Sequence, residues 1–433
     1  MRSMGTERPL WSSERAFILS SAAAAVGLGN LWRFPYMAGE NGGAAFIVAY
    51  LIAVVAVGVP LMILEMAMGR RVRGGVIAMF RYLHPKAAAF GWLLMILAVV
   101  IMSYYLVITG WTLGYAVASF TGELPAFGEF TTGYGSLWYF LLTTLLVGWL
   151  VARGVSGIER MAGWLMPVLL LTVGSLALFG LTLVGRTEAL RFLLSPDYSA
   201  LGQPRLWMFA FGQAFYSLAV GQGYLVTYAS YAPDDADLQR SAVIISGVET
   251  GVALLAGLMI FPVVFTFGFA PDAGSELAFN TLPAVFKVMP MGAVMAVIFF
   301  SLFFTAALSS CIAGVKIISA AVQEEFRLPQ GMAVYLSTAI LLALGVPSAL
   351  SFTPVQLSLA GRPFLDFMDM FAATQIIVAV GIIGGALIAW LVPRRKLLVS
   401  LRCKHRRAAY FFVTVGRYLA VPVVGVLLYA WLF

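Results

Sequence analysis

Two interruptions of apolar segments carry the residues best suited to bind a ligand. Residues 27–29 (GLG) break a helix-forming stretch and are followed by Asn30 and Arg33, and residues 221–223 (GQG) break a second stretch. Each interior glycine costs a helix roughly 1 kcal/mol relative to alanine, and a broken helix exposes free amide and carbonyl groups. Free amides attract a carboxylate, whereas free carbonyls attract Na⁺ or an ammonium group. A zwitterionic amino acid would use both kinds of end.

Glu249 is the third chemically notable feature, because it lies well inside the apolar segment SGVETGVALLAGLMIFP. A carboxylate within a membrane span is costly and marks a functional site by default. The alternative is that Glu249 lies near a helix end and reaches water. The sequence leaves both interpretations open.

The composition defines the elements that must position these residues. The chain has 433 residues, of which 61% are hydrophobic and only 11% charged, so we predict an all-α polytopic membrane protein. Residues 1–15 are polar, and no signal peptide is expected. The two cysteines (Cys311 and Cys403) and two histidines predict neither a disulfide nor a metal cluster. No nucleophile–base pair or phosphate loop is present, so we do not expect an enzyme.

The apolar segments predict eleven membrane spans within one transmembrane domain, residues 1–433. They lie at about 14–38, 44–69, 88–120, 137–153, 161–185, 205–230, 240–269, 292–322, 332–350, 364–392 and 409–432. With a cytoplasmic N-terminus, nineteen lysines and arginines fall inside and five outside, which fixes the orientation and puts the C-terminus outside. The net charge of +8 is therefore a topological signal, with contact to anionic membrane lipid, and it does not indicate nucleic-acid binding.

The two breaks open corresponding groups of five spans, which predicts an inverted five-plus-five repeat with discontinuous helices 1 and 6. The first repeat would cover about 14–185, the second about 205–392, and an eleventh helix about 409–432. Interrupted helices at matching positions mark the midplane site of many secondary transporters. The alternative is that the glycine pairs only allow close helix packing.

The chain resembles the neurotransmitter:sodium symporter family at motifs that run along nearly its whole length. The matching segments are VGLGNLWRFPY (26–36), ENGGAAF (40–46), GVPLMILEMAMGR (58–70), SYYLVITGWTLGYA (103–116), GIERMAGWLMP (157–167), FGQAFYSLAVGQG (211–223), TYASY (227–231) and ALSS (307–310). The resemblance implies an amino-acid transporter of the bacterial eleven-span type, located in the plasma membrane, which in a bacterium is the inner membrane.

Position by position, the resemblance implies two sodium sites made of oxygen ligands, which suit a hard cation. The first would use the carbonyl of Ala25 and the side chains of Asn30, Ser217 and Glu249. The second would use the carbonyls of Ala23, Val26 and Ala306 and the hydroxyls of Ser309 and Ser310.

Glu249 also carries the expectation about chloride. Chloride-dependent members of the family have asparagine at this position and bind chloride near residues that match Tyr50, Gln213 and Ser217. Here Glu249 would supply the negative charge itself. The resemblance therefore implies chloride-independent transport, with proton antiport if Glu249 takes a proton when sodium leaves.

The substrate would lie between the two breaks. The resemblance implies that its carboxylate is held by the amides of Leu28 and Gly29 and the hydroxyl of Tyr105. Its ammonium group would be held by the carbonyls of Ala25, Tyr216, Ser217 and Ala219. Gly27 stands where monoamine carriers have aspartate, which favours amino acids over amines.

The implied side-chain pocket combines small, apolar and polar residues. It would be lined by Ala24, Ile101, Ile108, Tyr216, Ala219, Gln222, Ser310 and Gly314. The small residues Ala24, Ala219 and Gly314 favour a hydrophobic or aromatic substrate side chain, whereas Gln222 adds a polar group. Lys316 lies at membrane depth, two residues beyond Gly314, so a substrate with a polar side chain stays an alternative.

The resemblance also implies gates on both sides of the site. Arg33 and Asp369 would form the outer gate with Tyr105 and Tyr216 as an aromatic lid. Arg8 and Trp11 would latch the inner side onto Tyr231 and Glu324 (or Glu325). Gly157 and Pro167 match a motif that lets the fifth span unwind, with a static proline kink as the alternative.

The sequence thus predicts a sodium-coupled amino-acid symporter that works by alternating access. A membrane receptor or sensor that keeps the site without cycling is the alternative. Candidates for both sodium sites and both gates favour the transporter.

Overall fold

The computed structural model describes residues 10–271, 278–401, 406–420, 422 and 425. Within them, eight helices are long and apolar enough to cross a membrane. They are Ala44–Val72, Pro85–Thr121, Gly135–Ala152, Gly154–Gly180, Leu238–Thr266, Gly292–Phe326, Gln330–Ala349 and Phe364–Leu391. We number them spans 2, 3, 4, 5, 7, 8, 9 and 10, in the order that the sequence predicts.

Span 1 consists of two helices, Glu14–Ala25 and Gly29–Glu40, bent by 47° at the break between them. The first begins at Ser13, whose side chain caps the Ala16 amide. The second starts as a π-helical turn, Gly29–Arg33, and continues as the α-helix Phe34–Glu40. The predicted interruption of the first span is confirmed.

Span 6 is also interrupted, into the helices Pro204–Ser217 and Tyr224–Ser230. Between them the backbone takes positive φ at Ala219, Gly221 and Gly223 (55°, 73° and 82°). Gly221 is required twice over: it needs this conformation, and a Cβ there would lie 2.6 Å from the Cα of Gly381. The second break therefore depends on close backbone packing against span 10.

The predicted eleventh span is described only in part, as the helix Arg406–Val415 followed by a π-helical segment, Gly416–Ala420. Spans 2 and 10 contain π-helical segments as well, Val54–Gly58 and Asp369–Ile376. The boundaries of the two repeats stay a prediction.

Short helices and one strand pair connect the spans. The helices are Val76–Leu83, Phe127–Thr132, Arg186–Leu194, Tyr198–Gly202, Thr281–Val288 and Arg394–Leu401. The strands Ser358–Leu359 and Arg362–Pro363 pair antiparallel, with Ser358 opposite Pro363.

The first half of span 1 lies at the centre of the fold, because it packs against spans 5, 7 and 8. Large apolar side chains such as Trp138, Trp164 and Leu171 are exposed on the outer surface, as expected of a lipid-facing protein. Polar residues of the breaks are instead buried: Asn30, Arg33 and Glu249 are each 0% exposed. The fold thus surrounds its polar side chains with helices.

Candidate binding site at the two helix breaks

Side chains complete the hydrogen bonds that the break in span 1 removes from the helix. Val26 is extended (φ −75°, ψ 112°). The Gly27 amide donates to Oδ1 of Asn30 at 3.1 Å, and the Leu28 amide donates to the Tyr105 hydroxyl at 2.9 Å. Side chains of Asn30 and Tyr105 therefore hold the amides of the break.

Gly27 lies where no larger residue fits. A Cβ at this position would collide with the hydroxyl oxygens of Ser310 and Tyr105. The space beside Gly27 is thus filled by two hydroxyl groups. This packing also excludes an aspartate at this position.

Glu249 is the centre of a buried polar cluster. Asn30 donates from Nδ2 to its carboxylate at 2.7 Å, and Tyr50 and Thr250 donate to its Oε2 at 3.3 and 3.2 Å. The Ser217 hydroxyl lies 3.4 Å from that of Tyr50. Glu249 does not reach water, so the helix-end alternative is wrong. The side chains predicted for the first sodium site lie together, whereas Ala25 lies beside them on the wall of the cavity described below.

The Val26 carbonyl faces two hydroxyl groups of span 8. Ser310 donates to it at 3.2 Å and Ser309 at 3.5 Å, and Ser309 also donates to the Ala306 carbonyl at 2.8 Å. Four of the five residues predicted for the second sodium site therefore meet at one point. The fifth, Ala23, is buried one turn earlier in span 1.

A cavity lies between the two breaks. Its walls come from spans 1, 3, 6 and 8 and consist of Ala24, Ala25, Gly29, Ile101, Tyr105, Tyr216, Ala219, Gln222, Tyr224 and Ser310. Nine of these ten residues are ones that the sequence analysis assigned to the substrate.

Two predicted lining residues are absent from the walls of this cavity. Ile108 is fully buried. A Cβ at Gly314 would meet the Met102 side chain and, at 2.6 Å, the Tyr224 hydroxyl. The space expected beside Gly314 is therefore filled. The sequence analysis did not predict that Met102 and Tyr224 lie beside the site. Two signals were available: Tyr224 directly follows the glycines of the second break, and Met102 lies on the same helix as Tyr105.

The residues predicted for the outer gate lie in contact with one another. Arg33 lies 3.9 Å from the Asp369 carboxylate and 5.0 Å from the centre of the Tyr216 ring. Its guanidinium also donates to Gln213 at 2.8 Å and to Thr374 at 2.7 Å.

Further hydrogen bonds fix both partners of this ion pair. Asp369 accepts from the Tyr104 hydroxyl at 3.0 Å and from that of Tyr36 at 3.4 Å. Gln213 donates in turn to the Gly29 carbonyl at 2.7 Å, which connects the gate to the first break. The sequence had assigned Gln213 only to the chloride motif.

On the inner side, Trp11 is 2% exposed. Its indole donates to the Tyr228 carbonyl at 3.0 Å, and its backbone amide donates to the Tyr231 carbonyl at 2.9 Å. Lys316 lies over the Tyr231 ring at 5.5 Å. These contacts hold the segment before span 1 against the end of span 6.

The other inner-gate predictions have mixed outcomes. Glu324 accepts a hydrogen bond from the Gly75 amide at 2.8 Å, while Glu325 pairs with Arg81, whose pKa it raises. Arg8 lies outside the described residues. Trp11 and Tyr231 are therefore in contact, whereas their role as a latch stays a prediction and no pairing of Arg8 is described.

A cleft at the inner end of span 5 contains one of the predicted unwinding residues. Gly157 lines it together with Arg153, Arg160 and, from span 8, Ile312. Ile312 is two residues from Ser310. Span 5 is helical across both Gly157 and Pro167 in this structure, so unwinding stays a prediction.

Glu65 in span 2 is a buried carboxylate that the sequence analysis quoted only within a motif. It accepts a hydrogen bond from the Gly221 amide at 2.8 Å. An acid within an apolar span was a visible signal in the sequence. Nothing in the sequence indicated that this acid contacts the second break.

Two interrupted helices that face one central cavity, with oxygen-rich clusters beside it, define the class of inverted-repeat membrane transporters. A family model described as the sodium:neurotransmitter symporter family matches residues 8–135 and 128–431. The chain belongs to this family, and the resemblance inferred from the sequence is confirmed.

Relatives and solved structures agree with this assignment. The chain is 34% identical over 431 residues to an uncharacterised sodium-dependent transporter, YhdH, of Bacillus subtilis, covering 95% of this chain and 94% of the relative. It is 32% identical to the uncharacterised sodium-dependent transporter MJ1319 of Methanocaldococcus jannaschii, covering 90% and 83%. The crystal structure of MhsT in complex with L-phenylalanine superposes with a TM-score of 0.92 at 34% identity and covers 98% of this chain and 99% of MhsT.

Proposed function

We propose that this protein is a sodium-coupled symporter that imports an amino acid with a hydrophobic or aromatic side chain, independently of chloride. One observation carries the proposal. The Leu28 amide meets the Tyr105 hydroxyl at 2.9 Å, while two residues earlier the Val26 carbonyl faces Ser310 at 3.2 Å. A single break thus offers donors for a carboxylate and acceptors for a cation beside one cavity. The names of the relatives and the phenylalanine bound to MhsT support the same proposal.

Sodium is a co-substrate in this proposal, and the first candidate site fits it through charge. Glu249 is a fully buried carboxylate, and its hydrogen-bond donors among the described residues are the uncharged side chains of Asn30, Tyr50 and Thr250. A buried carboxylate is costly unless a cation pairs with it or a proton neutralises it. Sodium held by Glu249, Asn30, Ser217 and the Ala25 carbonyl would be that cation, so chloride is not needed.

The second candidate site fits a cation through its donor set. The Val26 and Ala306 carbonyls and the hydroxyls of Ser309 and Ser310 are neutral oxygen ligands, which Na⁺ accepts as a hard ion. We assign Ala23 to the same site from its position in the family motif. Because Val26 belongs to the break itself, occupation of this site would fix the shape of span 1.

The substrate backbone would bridge the two breaks. Tyr105 accepts from Leu28 and keeps its own proton for the substrate carboxylate, together with the Gly29 amide. The carbonyls of Ala25, Tyr216, Ser217 and Ala219 would receive the ammonium group. Tyr216 links this site to the gate, because its ring lies beneath Arg33.

Alternating access would open the two sides in turn. Arg33 and Asp369 close the outer side, and Trp11 with Tyr231 closes the inner side. The cleft at Gly157 would widen when span 5 unwinds and admit water toward Ser310. Sodium drives the cycle only if it binds one state more tightly than the other. The excess of basic residues in alternate loops supports a cytoplasmic N-terminus.

Counterflow of labelled amino acids in proteoliposomes, with Na⁺ or with K⁺ as the only monovalent cation, tests the proposal. We expect accumulation in Na⁺ and none in K⁺. Absence of sodium-dependent accumulation for all twenty amino acids would overturn transport. Sodium-dependent binding without accumulation would instead support a sensor on the same fold.

A further inference from the structure

Two polar side chains at the second break keep unused hydrogen-bonding capacity at the cavity. Gln222 donates from Nε2 to the carbonyls of Phe215 and Tyr216, both at 3.3 Å, and its Oε1 accepts no hydrogen bond from a described residue. The Tyr224 hydroxyl makes no hydrogen bond to any other residue in the described ranges. Both residues line the cavity, and they are 4% and 8% exposed.

The absence of a side chain at Gly314 allows the Tyr224 hydroxyl to lie where it does. That hydroxyl lies 2.6 Å from the place where a Cβ at position 314 would stand, and the Met102 methyl group fills the rest of that space. The tyrosine ring is therefore held between spans 3 and 8 with its polar end beside the cavity. Any larger residue at 314 would displace that hydroxyl.

Polar groups that line a cavity and have no protein partner are available to a bound ligand. A hydroxyl that both donates and accepts, next to a carboxamide oxygen that accepts, is suited to a hydroxyl or an N–H of a ligand. The cavity walls contain no aspartate, glutamate, lysine or arginine. A charged ligand side chain would find no counter-ion there, and this excludes acidic and basic side chains.

Lys316 does not alter this conclusion. It lies over the Tyr231 ring and is absent from the walls of the cavity. Its ammonium group therefore lies beside Tyr231 and not at the cavity.

We infer that the transported amino acid carries a neutral hydrogen-bonding group on its side chain, which Tyr224 and Gln222 recognise. The inference rests on the proposed function and refines its substrate class: the side chain is uncharged, as proposed, but it also carries a polar group. A site that hydrogen-bonds a ligand group rejects the analogue that lacks this group, because the protein groups are then left unpaired. The polar member of each pair of similarly shaped amino acids is thus the better substrate.

Three matched pairs test the inference without assuming a substrate size: tyrosine against phenylalanine, threonine against valine, and glutamine against methionine. Sodium-dependent thermal stabilisation and counterflow are measured for each pair with the full-length protein. We expect the polar member of at least one pair to bind on the order of tenfold more tightly than its partner, with no pair reversed. Preference for the apolar member in every pair that binds would overturn the inference.

Variants separate recognition from folding. Tyr224→Phe should reduce the preference within the recognised pair to about one, because the polar member loses its hydrogen-bond partner. Tyr228→Phe is the matched control, since it removes a buried hydroxyl one helical turn further on that does not line the cavity, and it should leave the preference intact. An unchanged preference in Tyr224→Phe overturns the assignment, whereas wild-type protein that binds no amino acid in Na⁺ refutes the proposed function instead.

Discussion

Asn30 donates hydrogen bonds from one side-chain amide to both the backbone carbonyl and the carboxylate of Glu249, at 2.9 and 2.7 Å. Asn30 belongs to the first break and Glu249 to span 7, so this pair ties the interrupted helix to a continuous one. The side-chain oxygen Oδ1 of Asn30 accepts a hydrogen bond from the Gly27 amide at the same time. The charge state of Glu249 and the shape of the break are therefore directly connected.

Glu249→Ser removes the buried negative charge and should make transport depend on chloride. Replacing chloride with gluconate should then lower sodium-driven uptake by at least about tenfold, which corresponds to roughly 1.4 kcal/mol. The wild type should be indifferent to chloride, as should Glu188→Ser, which removes an exposed acid from the helix Arg186–Leu194. Uptake by Glu249→Ser that does not respond to chloride would contradict our account of this acid.

Tyr105→Phe deletes the hydroxyl that meets the Leu28 amide. A hydrogen bond to a charged group contributes about 1.5–3 kcal/mol, so the affinity for substrate should fall roughly 10- to 100-fold. Tyr115→Phe is a control on the same span, because that buried hydroxyl donates to the Pro125 and Phe279 carbonyls away from the site. Titrations of thermal stability with substrate distinguish the two: an equal loss of affinity in both variants would argue against a direct role of Tyr105.

Gly27→Ala should abolish binding, since its Cβ would displace the hydroxyls of Ser310 and Tyr105. Both sodium affinity and substrate affinity should fall together. A Cβ at Gly174 in span 5 meets nothing within 4 Å, and Gly174→Ala should keep binding and gain up to about 1 kcal/mol of stability. Retained sodium-dependent binding in Gly27→Ala would show that the break adapts to a side chain.

Trp11→Ala should loosen the inner gate, because it removes the indole contact with the Tyr228 carbonyl and the packing on Tyr231. Labelling of buried Cys311 by a maleimide added to the cytoplasmic side, in a Cys403→Ser background, reports the opening. We expect labelling about tenfold faster or more, the equivalent of losing roughly 1.4 kcal/mol of gate stability. Trp164→Ala, at an outward-facing tryptophan that is 72% exposed, should label at the wild-type rate, and an equal increase there would point to general destabilisation.

The interruptions of spans 1 and 6 could be predicted from the sequence, because glycine clusters inside apolar segments have a local energetic cost. The depth of Glu249 in an apolar segment indicated burial but left a water-exposed position open, and the structure shows the residue to be buried. Contacts between distant segments had no such local signal. The bond from Gly221 to Glu65 and the filling of the space at Gly314 by Met102 depend on side-chain placement across spans.

Backbone conformation set a second limit on the sequence analysis. Ala219 takes a left-handed conformation, with φ of 55°, which alanine rarely adopts. No local pattern indicates it, since the neighbouring glycines and the hydrogen bond from Val220 to Phe215 impose it. This turn directs the Gln222 side chain toward the carbonyls of its own helix and brings Tyr224 to the cavity. The sequence analysis therefore did not include Tyr224 among the residues that line the cavity.

Gln213 accepts from Arg33 at 2.8 Å and donates to the Gly29 carbonyl at 2.7 Å. One carboxamide therefore contacts both Arg33 and the first break. Any substitution at this position changes how long the entrance stays shut and how well the first break holds its shape. Turnover and affinity will consequently change together in engineered variants of Gln213. A redesign of selectivity at the cavity must therefore take this residue into account.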